Sequence, residues 1–123
     1  MTYQYKKPPT NRQLKVSELI KQEMAMIFTK GEVFLPELEK ITITITDVKT
    51  SADLKISTVF INSVNDKIDK DLVRALNILS PEYRKKISNR INLKFSPQIR
   101  FQIDKFIDEK INIEKLFDKV NAN

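Results

Sequence analysis

The sequence predicts a single α+β domain whose segments follow the order helix, strand, strand, helix, helix, strand, helix. Apolar residues recur at three-and-four spacing in four segments, which is typical of amphipathic helices. The segment ITITITDV alternates apolar and polar residues strictly, which is typical of a half-buried strand. A chain of 123 residues is long enough for one hydrophobic core, so a single domain is expected.

The first predicted helix begins after about ten polar residues. Asn11 is expected to cap its start, and Gly31 is its natural stop. The apolar positions that define its buried stripe are Val16, Leu19, Ile20, Met24, Ile27 and Phe28.

Two strands that form a β-hairpin are predicted next. In ITITITDV, residues 41–48, the isoleucines face one way and the threonines the other. Ser51 and Asp53 supply turn chemistry, and the β-branched and aromatic residues that follow favour a second strand. Val59 and Ile61 are expected on the core face of that strand.

The next two helices meet at Ser80-Pro81. Pro81 has no N–H and biases Ser80 away from helical dihedral angles, so the helix that runs from about Asn65 must end near Leu79. Ser80 is a favoured N-cap and Pro81 a favoured first residue for the following helix. The sequence therefore predicts a helix-to-helix corner, which Tyr83 follows as the next inward residue.

The last two predicted elements are a third strand and a short C-terminal helix. In the strand, Ile99, Phe101 and Ile103 alternate with Arg100 and Gln102. The apolar positions of the C-terminal helix are Ile113, Leu116, Phe117 and Val120.

The composition excludes several kinds of chemistry. Cysteine and histidine are absent, so disulfides, thiolate or imidazole metal ligands and the usual nucleophile pairs are excluded. We expect no cofactor, no metal, no small-molecule substrate and no enzymatic activity. The first residues contain no apolar run of signal-peptide type, and no segment has the length of a membrane span, so a cytoplasmic protein without membrane contact is predicted.

Three aspartates near the second predicted helix leave one enzymatic alternative. Asp66, Asp69 and Asp71 could hold a divalent metal in a nuclease, although their spacing lacks the glycine and terminal glutamate of a calcium loop. The simpler interpretation is a favourable interaction with the positive N-terminus of a helix.

The positive charge is concentrated in two segments. The chain has 22 lysine and arginine residues against 16 acidic ones, a net charge of +6. Residues 1–16 contain four cations and residues 84–100 contain six, both without an acid, so the remainder has 12 basic and 16 acidic residues, a balance of −4. An acidic body with two basic surfaces favours a polyanionic partner.

Several segments together resemble the ribosome-binding factor A family, from about residue 11 to 120. They are ITITITDVKT, SADLKISTVFINSVND and RALNILSPEYRKKISNRINLKFSPQIRFQID. The resemblance implies a type II KH-like fold and a monomer that binds 16S ribosomal RNA in the small (30S) ribosomal subunit. It also implies action in late maturation of that subunit, where the protein aids processing of the RNA precursor's 5′ end.

Residues 1–10 are expected to be a flexible basic arm, because they contain Pro8-Pro9 with polar flanking residues. Residues 11–120 would be the KH-like RNA-binding domain and 121–123 a tail, and the resemblance implies a kinked pair of helices within the domain. The family's kink usually has the sequence Ala-x-Gly, whereas this chain has Leu79-Ser80-Pro81. Since Gly31 is the single glycine, the GxxG phosphate clamp of other KH domains is impossible here.

The predicted RNA contacts are cations and one hydroxyl from the two basic segments. Arg84 is the strongest of them, because it follows the corner on an exposed side of the helix, whereas Arg90 lies near the edge of the core. A module that binds an acidic protein partner through the same basic face is the alternative. The full predicted set is Arg84, Lys85, Arg90, Lys94, Ser80, Lys86, Arg100, Lys6, Lys7, Arg12 and Lys15.

Overall fold

The computed structural model describes residues 7–63, 68–94 and 96–105. The order of the elements confirms the predicted α+β class and the helix-strand-strand-helix-kink-helix-strand connectivity of a type II KH-like domain. The predicted C-terminal helix at residues 113–120 lies outside the described residues. The described elements are α1 (Asn11–Lys30), a 3-10 turn (Pro36–Glu39), β1 (Ile43–Thr50), β2 (Ile56–Ser63), α2 (Lys70–Ile78), α3 (Ser80–Arg90) and β3 (Gln98–Ile103).

The strands form a sheet in the order β1-β2-β3. β1 and β2 are antiparallel, whereas β2 and β3 are parallel, with Ile56 opposite Gln98. The parallel pairing requires a crossover, which α2 and α3 provide. One hydrophobic core joins the helices to the sheet, and its fully enclosed residues are Ile20, Met24, Ile27, Val59, Ile61, Leu76, Tyr83 and Ile87.

Helix α1 is capped at both ends. The N-cap is Thr10 rather than the predicted Asn11, because the Thr10 hydroxyl accepts a hydrogen bond from the Gln13 N–H at 3.2 Å. The Gln13 side chain in turn accepts one from the Thr10 N–H at 2.8 Å, which completes a capping box. Gly31 ends the helix in the left-handed region at φ 61°, as predicted.

Strand β1 contains a bulge that the sequence did not indicate. The pairing with β2 shifts register between Ile45 and Asp47. Before the shift the isoleucines point toward the core, and after it Val48 and Thr50 do so. The strand begins at Ile43 instead of Ile41, and the predicted strict alternation ends at the bulge because the extra residue reverses the faces.

Helix α2 starts later than the predicted Asn65. Its N-cap is Asp69, whose carboxylate accepts a hydrogen bond from the Leu72 N–H at 2.8 Å, so the helix begins at Lys70. Ile68 is buried in the core although it precedes the helix. The helix predicted from about Asn65 would have included Ile68, so the predicted start of this helix is wrong.

The corner between α2 and α3 lies where it was predicted but has different local geometry. Leu79 is the junction residue, at φ −87° and ψ 2°, and its carbonyl accepts from the Glu82 N–H at 2.9 Å. Ser80 is already helical and forms no side-chain cap, so its prediction as N-cap is wrong. Because Leu79 turns the chain within one residue, Ser80 enters α3 directly and Pro81 lies in its first turn, where an N–H has no helical partner.

Candidate nucleic-acid interface

The corner is held by hydrogen bonds on both sides, from α2 to β3 and from α3 to the segment that precedes β3. Asn77, at the end of α2, donates through Nδ2 to the Phe101 carbonyl at 3.0 Å and accepts from the Phe101 N–H at 2.8 Å. Arg84, in α3, donates through Nη2 to the Ser96 carbonyl at 2.7 Å. These bonds hold the two helices at a set angle to the strand.

We expect Asn77→Ala to lower the free energy of unfolding by about 2 kcal/mol, because it removes two bonds that each contribute roughly 0.5–1.5 kcal/mol. The double change Ser80→Ala with Pro81→Ala should cost less than about 1 kcal/mol, since Ser80 provides no cap. Urea unfolding of the three proteins measures both effects. A greater loss in the double variant than in Asn77→Ala would mean that Ser-Pro, rather than the bonds to β3, maintains the corner.

A first groove lies between the corner and β3. It has a volume of about 560 Å³, and Ser80, Pro81, Arg84 and Arg100 line it. We call it the corner groove. Arg84 and Arg100 are exposed, so their guanidinium groups are available to phosphate oxygens.

The N-terminus of α1 is held beside the β1–β2 turn by buried polar contacts. Gln13 Nε2 donates to the Thr50 carbonyl at 3.0 Å. The Thr50 hydroxyl lies 2.8 Å from the hydroxyls of both Ser17 and Ser57. These contacts place Arg12, one residue before Gln13, close to the turn that follows Thr50.

A second groove lies between α1, the β1–β2 turn and the segment that joins α3 to β3. It has a volume of about 880 Å³, and its lining includes Arg12, Lys55, Arg84 and Lys94. We call it the turn groove. Asp53 also lines it, and hydrogen bonds from the Ser51 hydroxyl and then the Lys55 N–H hold the pKa of its carboxyl below the usual range. Arg84 lines both grooves and therefore connects them.

The structure separates the predicted contacts into groups. Arg12, Ser80, Arg84, Lys94 and Arg100 line the two grooves. Residues that are placed elsewhere on the surface are the exposed Lys7, Lys15 and Lys85 and the half-buried Lys86. Lys6 lies outside the described residues.

Arg90 lies in an ion-pair cluster with α1 and the segment after it. Its guanidinium group contacts the carboxylate of Glu32, and Nη1 lies 3.8 Å from Glu23 Oε2. The two carboxylates offset its charge. Among the predicted cations it therefore has a structural role in linking α3 to α1.

Lys55 and Asn77 belong to the site but were not singled out from the sequence. Lys55 lies just after the predicted turn that contains Ser51 and Asp53, and this position was the available signal for it. Asn77 lies on the polar side of α2, and nothing in the sequence indicates that it pairs with the backbone of β3.

The alternative of a metal-dependent nuclease gains no support from the described residues. Asp69 caps α2, Asp71 lies in its first turn, and Asp66 lies outside the described residues. Within the ranges that the structure describes, no group of three or more acidic side chains is arranged to hold a metal ion. In the same ranges, no helix combines the length and apolar character that membrane crossing requires.

Comparisons with known proteins find the same family by sequence and by structure. A family model described as ribosome-binding factor A matches residues 12–117. The ribosome-binding factor A of Ruegeria sp. (strain TM1040) is 35% identical over 111 residues, which cover 90% of this chain and 85% of the relative. That of Pelagibacter ubique (strain HTCC1062) is 37% identical over 115 residues, which cover 94% of each chain.

Solved structures show the same fold at lower identity. The crystal structure of ribosome-binding factor A from Thermus thermophilus matches with a TM-score of 0.61 at 18% identity, and the match covers 74% of this chain and 94% of that one. A homology model of Thermus thermophilus ribosome-binding factor A, fitted into a cryo-EM map of a 30S complex, matches with a TM-score of 0.57 at 16% identity. That match covers 70% of this chain and 88% of the other.

Proposed function

The chain belongs to the ribosome-binding factor A family, and from this membership we propose that it binds the small (30S) ribosomal subunit through 16S ribosomal RNA. We further propose that the protein acts in late maturation of the subunit and aids processing of the RNA precursor's 5′ end. It acts as a monomeric binding factor in the cytoplasm rather than as an enzyme.

The position of Arg84 supports RNA binding most directly. Its side chain is exposed, oriented by the Ser96 carbonyl and shared by the corner groove and the turn groove. Arg100 extends the cationic surface on one side, and Arg12 with Lys55 extends it on the other. A continuous cationic surface across two grooves suits a phosphate backbone better than an isolated carboxylate.

We also propose that residues 1–10 are a basic arm that extends the contact with RNA. Lys7 is exposed, and Arg12 follows in the first turn of α1. Because an arm must be ordered when it binds, its contribution should be smaller than that of the grooves.

Co-sedimentation with purified small subunits tests the function. The protein should sediment with precursor subunits more than with mature ones, and it should also shift naked precursor RNA in a gel. Binding to assembled particles without any shift of naked RNA would support the alternative, in which the basic face meets an acidic protein partner. Failure to bind either particle would contradict the proposal.

We expect binding to weaken as salt rises. If about four to six phosphates are neutralised, the logarithm of affinity should fall against the logarithm of salt concentration with a slope of about −3 to −5. Fluorescence anisotropy across a salt series measures the slope. A slope near zero would contradict phosphate contacts as the main source of affinity.

A further inference from the structure

We propose that the turn groove holds one unpaired nucleotide of a single-stranded RNA segment, with its base on the apolar floor and its phosphate at the cationic rim. This inference rests on the proposed RNA-binding function. It specifies which form of RNA the groove recognises, and it makes base contact, in addition to charge, a source of affinity.

The floor of the turn groove is apolar. Val16 and Pro97 are buried, and Leu54, Ile56 and Leu93 are partly exposed to the groove. The volume of about 880 Å³ exceeds what a single base and sugar occupy. A base inserted here would cover aliphatic surface that otherwise contacts water.

The backbone conformation of Leu54 is a second reason to place a base in the turn groove. Leu54 has φ 61°, in the left-handed region that glycine and asparagine favour and leucine rarely adopts. Its N–H nevertheless bonds to the Ser51 carbonyl at 2.9 Å, which keeps the residue in the tight turn. A leucine in this conformation places a large apolar side chain at the groove, at a cost in backbone strain.

The rim has charge suited to a phosphate. Arg12 lies in the first turn of α1, which contains no acid, so the positive end of the helix dipole adds to its charge. Arg84 lies across the groove and is already oriented by Ser96. The rim carboxylate of Asp53 is engaged by two donors of its own turn.

Single-stranded RNA meets these conditions better than a duplex does. A base in a duplex is stacked and paired, so it cannot reach the floor of a groove, whereas an unpaired base can leave the stack. The apolar floor and the cationic rim together favour recognition of an unstacked nucleotide.

The substitution Leu54→Asn tests the inference, because asparagine tolerates the same backbone conformation but removes the apolar side chain. The probes are a fluorescein-labelled single-stranded RNA dodecamer and the duplex of the same sequence, measured by anisotropy. We expect Leu54→Asn to weaken single-strand binding about five- to tenfold, because the base loses its contact with the aliphatic side chain, and duplex binding less than about twofold. Leu14→Asn, at an exposed leucine on α1 outside the groove, is the matched control and should leave both affinities unchanged.

Equal losses of affinity for both RNAs, or no loss for either, would overturn the proposed nucleotide site, provided that the wild-type protein binds small subunits. Absence of wild-type binding to RNA and subunits alike would instead contradict the proposed function. If Leu54→Asn fails to fold, the wild-type protein provides the test. A fluorescent purine analogue placed at each position of the dodecamer should respond strongly at one position, and a uniform response would reject the proposal.

Discussion

Replacing Arg84 by glutamate is expected to weaken binding to small ribosomal subunits by about 10- to 150-fold. A charge-assisted hydrogen bond contributes roughly 1.5–3 kcal/mol, which corresponds to this range, and the new carboxylate adds repulsion. The effect should be large because Arg84 lines both grooves. Co-sedimentation at fixed salt measures the loss of binding. In thermal unfolding, the free energy of unfolding should fall by less than about 1 kcal/mol, because only the single exposed bond to Ser96 is lost.

Lys85→Glu is the matched control for this experiment. Lys85 is the next residue on α3 and is exposed, but it lines neither groove. Its reversal changes the net charge by the same amount, so we expect only the long-range effect, about threefold or less at physiological salt. Equal losses in the two variants would show that net charge, rather than the position of Arg84, determines binding.

Replacing Tyr83 by alanine is expected to lower the free energy of unfolding by about 3–5 kcal/mol, the usual cost of removing a large buried aromatic ring. Tyr83 is completely buried. Its ring centroid lies 5.2 Å from that of Phe28 and 5.1 Å from that of Phe101, so one side chain joins α1, α3 and β3. Chemical denaturation measures the loss, and a change below about 1 kcal/mol would contradict this central position.

Tyr83→Phe should instead raise the free energy of unfolding. The Tyr83 hydroxyl is buried and has no hydrogen-bond partner among the described residues, so its removal should raise stability by up to about 1 kcal/mol. Burial raises the pKa of Tyr83 to about 12. The unfolded tyrosine ionises near pH 10, whereas the folded one keeps its proton to a higher pH. The contribution of Tyr83 to the free energy of unfolding is therefore complete below about pH 10 and is lost as the pH rises toward about 12. Tyr83→Phe should reduce that alkaline loss, and an unchanged pH profile would contradict it.

Most of the fold could be predicted because the main elements have clear local signals. The apolar stripe and Gly31 indicated α1, alternation indicated the hairpin, and Ser80-Pro81 indicated the corner. Boundaries were less accurate, since a cap depends on which side chain reaches a backbone N–H. Thr10 and Asp69 provide the caps, and the bulge in β1 depends on pairing with β2, which no local pattern reports.

The candidate site was only partly predictable, because it depends on distances that the fold creates. Charge and exposure identified Arg84, and Arg12 and Lys94 were predicted separately from two distant basic segments. Their meeting in the turn groove results from the contacts between Gln13, Thr50 and the hairpin. The ion pairs of Arg90 likewise required the packing of α3 beside α1.

The parallel pairing of β2 with β3 has a consequence for how the chain acquires its structure during synthesis. The hairpin of β1 and β2 uses local pairing, whereas β3 can join only after the whole α2–α3 crossover has been made. Long-range pairing of this kind is a slow step in folding, since loop closure precedes the stabilising contacts. Both grooves include residues of β3. We therefore expect a nascent chain to gain affinity for RNA late, when β3 has left the ribosome that makes it, so that incomplete chains do not compete for binding.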